Sequence, residues 1–409
     1  MTPRSGMAAP LRHRNFRALA LGRTLTYGGN SVATVALGFA VLDVTGSVVD
    51  LGLVVGARSL ANVTLLLFGG VVADRLPRPL VLQGSCALAA ATQATLAASV
   101  LLGFATLPLM VALSLANGAA AAVNLPAAAA LTPQTVPAGL LQRANALLRI
   151  GVHLGMFGGM SAGGLIVGWV GPGWAIGING AMFAISGVCF AFLRIPTGGE
   201  PGQPRTRPLR DLVEGWREFS SRTWVWLVVG QFTVVNATWS ATTAVLGPAL
   251  ADDTFGRTLW GVLMATNSVG LVAGGVLAAR WQPRRALAYG VALISLMALP
   301  MLALAGSPVP LVLFPAMFLA GAAAEQFSVA WEVSLQQNIP QRRLARVYSY
   351  DALGSFLALP AGEIAVGPIA ERVGTGTTLT GMAALLLVAT AVTAASRSVR
   401  GLARAEPGS

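Results

Sequence analysis

The chain has 409 residues, of which 55% are apolar and only 10% charged, with a formal net charge of +12. An ordinary soluble domain carries roughly 25% charged residues, so this composition excludes water as the main solvent of the fold. All 27 basic residues are Arg, and the lack of Lys excludes the phosphate-cradling G-x-x-x-x-G-K-[ST] loop of an ATP-driven pump.

A transmembrane helix needs about 20 predominantly apolar residues, and twelve such segments can be drawn. They run over residues 17–42, 49–73, 80–103, 107–128, 143–168, 173–193, 223–250, 258–279, 286–305, 308–335, 346–369 and 376–396. The expected class is an all-α integral membrane protein with twelve transmembrane helices. The first apolar run is longer than the short core of a cleaved signal peptide, so it is expected to stay. Placing both ends and every second loop on one side collects 23 of the arginines there. Arg257 and Arg372 fall opposite, and Arg23 and Arg58 fall inside helices. By the positive-inside rule both termini are expected in the cytoplasm. The basic surplus then reports orientation and contact with anionic membrane lipids, and no nucleic-acid partner is needed.

After helix 2 the stretch "GGVVADRLPRPLVL", residues 69–82, holds Asp74, Arg75, Pro77, Arg78 and Pro79. The prolines stop a helix from running through the turn. Asp74 is an acid in a basic loop, able to bond an Arg or to sit at a helix N-terminus as a latch. The stretch has an echo, "GGVLAARWQPRRAL", 205 residues later, which pairs Gly69 with Gly274, Asn62 with Asn267 and Arg75 with Arg280. At an offset of 203, "PQTVPAGLLQR" pairs with "QQNIPQRRLAR". Two six-helix bundles in the same orientation are the parallel-repeat pattern of a secondary transporter, with a substrate site expected between them. The expected domains are residues 1–193, a linker at 194–222, and residues 223–409. In the linker, Leu209, Leu212, Val213, Trp216 and Phe219 recur at helical spacing. They predict a short amphipathic helix, either on the membrane surface or as a solvated linker.

Helix 5 spaces Gly155, Gly159 and Gly163 four apart, with Gly164 beside them, and helix 8 spaces Thr266, Gly270, Gly274 and Ala278 likewise. Such strips allow close backbone approach. Ionisable residues inside a bilayer cost about 2.5–3.5 kcal/mol on insertion scales and are functional candidates by default. Here they are Arg23, Arg58, Glu325, Glu332 and Glu363. Glu325 or Glu363 is the expected carrier of a coupling proton, with an Arg as its partner.

These features resemble the major facilitator superfamily, whose signature between helices 2 and 3 reads G-x-x-x-D-R-x-G-R-K. Gly70, Asp74, Arg75 and Arg78 match it, while Pro77 replaces its second Gly and Pro79 its last base. The resemblance implies the major facilitator fold, and it implies that Asp74 docks near residues 346–351 at the start of helix 11. "LRHRNFRALALGRTL" and "PAAAALTPQTVPAGLLQRANAL" look like the exporter branch that includes enterobactin and macrolide efflux proteins, with Ala128 where that branch usually has Arg. "GMFGGMSAGG" resembles the antiporter signature G-x-x-x-G-P-x-x-G-G, with Met160 in place of Pro, and implies a contact between helices 5 and 8.

The reading is therefore a proton-coupled exporter of a small amphipathic molecule, needing no cofactor or metal. An importer or uniporter on the same fold is the alternative. A membrane enzyme is disfavoured because His13 and His153 are the only histidines and no H-E-x-x-H occurs. A non-transporting receptor on the same scaffold also stays open, and no oligomeric partner can be read.

Overall fold

A computed structural model of the chain describes residues 8–75, 77–194, 216–217, 219–281, 283–306, 308–339 and 341–402. The first six long elements are α1 (Arg14–Thr45), α2 (Val48–Arg75), α3 (Arg78–Leu101), α4 (Leu107–Thr135), α5 (Leu141–Val170) and α6 (Pro172–Ala191). The seventh run is built in three pieces: α7a (Thr223–Ser240), a π-helical stretch Ala241–Leu246, and α7b (Gly247–Asp253). There follow α8 (Arg257–Arg280), α9a (Ala286–Leu293) joined by a 3-10 turn to α9b (Ala298–Ala305), and α10 (Pro310–Asn338). The chain continues through α11a (Gln341–Leu357), α11b (Leu359–Val373), α12 (Thr375–Ala395) and the short α13 (Arg397–Arg400).

Among the described residues, 11 helices are long and apolar enough to cross a membrane. α7a falls short because Gln231, Thr233, Asn236, Thr238 and Ser240 dilute its apolar run. Run 11, expected to be continuous, is divided near Ala358. Pro360 in the first turn of α11b has no N–H to give and clashes with the preceding turn. Pro77 caps α3 and Pro79 lies in its first turn, as the turn chemistry of the sequence requires.

The chain packs as two compact units, Met1–Gly199 with Ala251–Val262, and Glu200–Leu250 with Leu263–Ser409. In the first unit α1 packs on α5 and α6, α2 on α4, and α3 on α4 and α6. In the second, α7a packs on α11a, α11b and α12, and α9b packs on α10 and α12. α8 meets α10 there, where Asn267 Nδ2 donates to the Met317 carbonyl at 3.0 Å. Adding six to each helix number of the first unit reproduces the pairs of the second, so the repeat read from sequence is a repeat of packing.

Glycines set the closest crossings. A Cβ on Gly118 of α4 would lie 2.2 Å from the Arg58 carbonyl of α2, and one on Gly321 of α10 would lie 2.1 Å from the Asn267 carbonyl of α8. These glycines stand 203 residues apart, which is the second repeat offset. Lipid tails are as apolar as side chains, so helix association in a bilayer depends on such close packing and on interhelical hydrogen bonds.

The glycine strips differ from the expected pairing of helices 5 and 8. A Cβ at Gly155 would sit 2.3 Å from the Thr24 carbonyl, at Gly159 2.2 Å from the Gly28 carbonyl, and at Gly163 3.0 Å from the Val32 Cα, all on α1. Gly164 is the member of the set that meets α8, where a Cβ on it would lie 2.1 Å from the Gly261 Cα. Gly270 and Gly274 face α10, where a Cβ would meet the Phe318 carbonyl at 2.1 Å and the Ala322 carbonyl at 2.3 Å. Four-residue spacing creates a flat strip, and the strip fits whichever helix the topology brings to it.

Of the amphipathic linker set, Leu209, Leu212 and Val213 lie outside the described residues. Trp216 and Phe219 stack at 5.7 Å between ring centroids, and both rings rest on Tyr350 of α11a.

Candidate functional sites

Arg58, on α2 in the first unit, is held by amides from two other helices. Its Nε donates to Asn117 Oδ1 at 3.0 Å and its Nη2 to Asn30 Oδ1 at 2.6 Å. Asn117, 2% exposed on α4, in turn donates from Nδ2 to Thr92 Oγ1 on α3 at 3.4 Å. Four helices are thus joined through one guanidinium, and charge-assisted bonds of this kind offset the cost of holding Arg in a bilayer. Gly118, next to Asn117, permits the backbone approach that brings α4 within reach. Arg23 on α1 is separate from this network. Its guanidinium lies 6.0 Å from the Tyr27 ring centroid, and its buried Nε meets no partner among the described residues.

The second unit carries acids. Glu363 on α11b is 3% exposed and accepts a hydrogen bond from the Ser240 hydroxyl, which ends α7a just before the π-helical stretch. Gly362 makes this possible, because a Cβ there would lie 2.7 Å from the Ala237 carbonyl. Thr233 Oγ1 donates to the Gly354 carbonyl at 2.8 Å and Asn236 Nδ2 to the Ser355 carbonyl at 2.9 Å, so one face of α7a is bonded along α11. Asp351 on α11a accepts from Trp331 Nε1 at 3.1 Å and from Ser355 Oγ at 3.4 Å. Trp331 belongs to a ladder of rings, with Phe232 on Phe327 at 4.3 Å, Phe327 on Trp331 at 6.3 Å and Trp224 on Trp331 at 5.6 Å.

Glu325 and Glu332, expected on one face of helix 10, have different surroundings. Glu325 lies against α8, where a Cβ on Gly275 would meet its Cγ at 3.5 Å. Glu332 accepts from Gln336 Nε2 of its own helix at 3.3 Å. Of the latch set, Arg78 opens α3 and is half-buried, while the side chains of Gly70, Asp74 and Arg75 lie outside the described residues.

A third cluster stands at the start of α8, inside the first unit. Arg257 donates from Nη1 and Nη2 to the two carboxylate oxygens of Asp43, at 3.0 and 2.5 Å. It also donates from Nε and Nη2 to those of Asp252, at 2.6 and 2.9 Å. Its guanidinium lies 5.0 Å from the centroid of the Phe39 ring.

A family profile described as Major Facilitator Superfamily matches residues 19–362. The chain belongs to the Major Facilitator Superfamily. Within it, the chain is 30% identical over 246 residues to the enterobactin exporter EntS of Shigella dysenteriae serotype 1 (strain Sd197), covering 59% of this chain and 57% of that protein. The same identity and coverage hold against the enterobactin exporter EntS of Escherichia coli O1:K1 / APEC. The match therefore spans somewhat over half the length of these relatives. Among solved structures, the nucleoside transporter NupG superposes with a TM-score of 0.73 at 17% identity, covering 93% of this chain and 98% of that one. A bacterial homolog of the human lysosomal transporter Spinster superposes with a TM-score of 0.75 at 16% identity, covering 95% and 97%. At these identities the superpositions establish the fold alone: the major facilitator fold, with twelve membrane helices in two six-helix bundles.

Asn30, Asn117 and Ser240 do not stand out in the sequence, because neutral polar residues carry no signal in an apolar run. Arg257 had a signal that went unused: it is one of two arginines on the arginine-poor side, with Asp43 and Asp252 at neighbouring helix ends.

Proposed function

We propose that the chain is a proton-coupled secondary transporter that exports a small amphipathic molecule, a drug, siderophore or secondary metabolite, across the cell membrane. Likeness to the enterobactin exporter supports the direction and the substrate class. The observation that carries the coupling is Glu363: a carboxyl almost wholly buried in a membrane helix, bonded by a hydroxyl at the edge of a π-helical stretch. Single π turns inside helices recur at functional sites, and a buried carboxyl that exchanges between neutral and charged forms is a proton carrier.

In this reading both termini are cytoplasmic. Gly70, Asp74, Arg75 and Arg78 form the cytoplasmic latch, and Arg58 is the fixed cation of the first bundle. The test is efflux of enterobactin, other siderophores and a toxin panel from expressing cells, followed by transport into proteoliposomes under an imposed pH gradient. Wild-type protein concentrates the substrate, whereas Glu363→Gln loses uphill transport and keeps exchange between equal pools. A Glu363→Gln protein that still concentrates substrate on a pH gradient removes Glu363 from the mechanism. A panel that the wild type leaves unmoved removes the export reading.

A further inference from the structure

Within the second unit, a narrow groove open to the surface lies between the end of α8, the start of α9a and the C-terminal half of α10. Its walls are mainly apolar, with Ala278, Leu287, Val329, Ala330 and Val333, and Ser334 and Gln337 also face it. From Val329 to the mouth at Asn338 is nine residues of helix, about 14 Å at 1.5 Å per residue. No Asp or Glu lines it among the described residues.

The mouth has the opposite character. Arg280 ends α8, and Arg284 and Arg285 follow in the turn to α9a, all three exposed. Arg222 Nη1 donates to the Asn338 carbonyl at the same mouth, at 2.8 Å. The short α13, which begins and ends with Arg397 and Arg400, packs against α9a. Trp281 lines the mouth and pairs with Tyr289 at 5.6 Å, with 44% and 51% of the two side chains exposed. An exposed Trp and Tyr at the end of a membrane span mark the level of the headgroups.

We propose that this groove is a binding site for one anionic phospholipid. Its phosphate sits among Arg280, Arg284 and Arg285, and one acyl chain runs down the apolar walls. A basic mouth alone would suit any soluble anion, and an apolar slot alone any hydrocarbon. The two joined at headgroup depth fit a molecule that is both. Gln326, 6% exposed, also lines the groove, and its Oε1 meets no partner among the described residues. The site is independent of the transported substrate and of the direction of transport.

The experiment uses the full chain in detergent, with lipid added back at defined ratios. Native mass spectrometry counts retained lipid. Tryptophan quenching by phosphatidylglycerol brominated along an acyl chain locates it, with Trp281→Phe isolating the signal of Trp281. Brominated phosphatidylglycerol is expected to quench Trp281 at about a tenfold lower mole fraction than brominated phosphatidylcholine. The combined Arg280→Gln, Arg284→Gln, Arg285→Gln protein loses that preference, and Val333→Trp, which fills the groove without changing charge, loses retention. Soluble glycerol phosphate leaves the quenching unchanged. Equal affinity for the two lipids, an arginine variant indistinguishable from wild type, or displacement by glycerol phosphate each overturns the proposal. The lipid comparison needs no groove variant, so a misfolded Val333→Trp protein does not shield it.

Discussion

Replacing Arg257 by Gln removes both ion pairs of the cluster at the start of α8 and leaves a shorter, neutral polar side chain. The three side chains involved are 25%, 36% and 31% exposed, so water screens their attraction. An exposed pair contributes about 0.2–1 kcal/mol and a cation over an aromatic ring about 0.5–1 kcal/mol. Two pairs and one ring contact therefore stabilise this corner by about 1–3 kcal/mol, which is about 5- to 150-fold in a local opening equilibrium. Beneath it, Gly164 against Gly261 and Gly168 against Thr258 hold the same segment by packing, and those contacts survive the substitution. The expected result is faster amide hydrogen exchange confined to peptides within residues 251–262 and the end of α1. Salt at 1 M, where the Debye length falls to about 3 Å, brings wild type part of the way toward the variant. Unchanged exchange in Arg257→Gln, or a rise spread evenly over α1 to α6, refutes the assignment of this cluster as a local clamp.

Gly118→Ala and Gly321→Ala each set a methyl group against a backbone carbonyl that cannot rotate away, so each is expected to cost about 1–3 kcal/mol; melting in detergent checks this. Gly158→Ala, where a Cβ meets nothing within 4 Å, stays within about 0.5 kcal/mol of wild type. Asn117→Ala takes away one acceptor of Arg58 and the donor to Thr92, with an expected loss of about 1–3 kcal/mol in stability and reduced transport in the same vesicle assay. Arg58→Lys does not restore the network, because one ammonium cannot reproduce a fork that spans Asn30 and Asn117; transport equal to wild type in that variant contradicts the role given to the fork.

The fold was legible because a bilayer imposes a coarse code. Apolar runs of spanning length, prolines at turns and arginines on one side are enough to count helices, and two offsets near 204 are enough to expose the duplication. Helix partners were less legible. The strip of Gly155, Gly159 and Gly163 states that a backbone comes close and is silent on whether it belongs to α1 or α8. The sites were legible only by their charges: Arg58 and Glu363 stand out in an apolar run, whereas Asn117, Asn30 and Ser240 do not. Nor does periodicity announce the π-helical stretch Ala241–Leu246, since one widened turn leaves composition unchanged.

Comparing the repeats position by position shows where they have diverged. α1, the counterpart of α7, is one uninterrupted helix from Arg14 to Thr45, and α5, the counterpart of α11, is likewise continuous. In the second unit both counterparts are broken, α7 by a π-helical stretch and α11 at Ala358, and the Ser240 to Glu363 bond joins them beside one of those breaks. The intramembrane charges divide the same way. Arg23 and Arg58 lie in the first unit, and Glu325, Glu332 and Glu363 lie in the second. An arginine keeps its charge at any physiological pH, whereas a carboxyl can lose its own by binding a proton. Of the three acids, Glu363 lies on an interrupted run, while Glu325 and Glu332 lie on the continuous α10. Backbone irregularity is tolerated at membrane depth only where protein or a lined cavity satisfies it, and beside the π-helical stretch the protein supplies such a contact through Ser240 and Glu363.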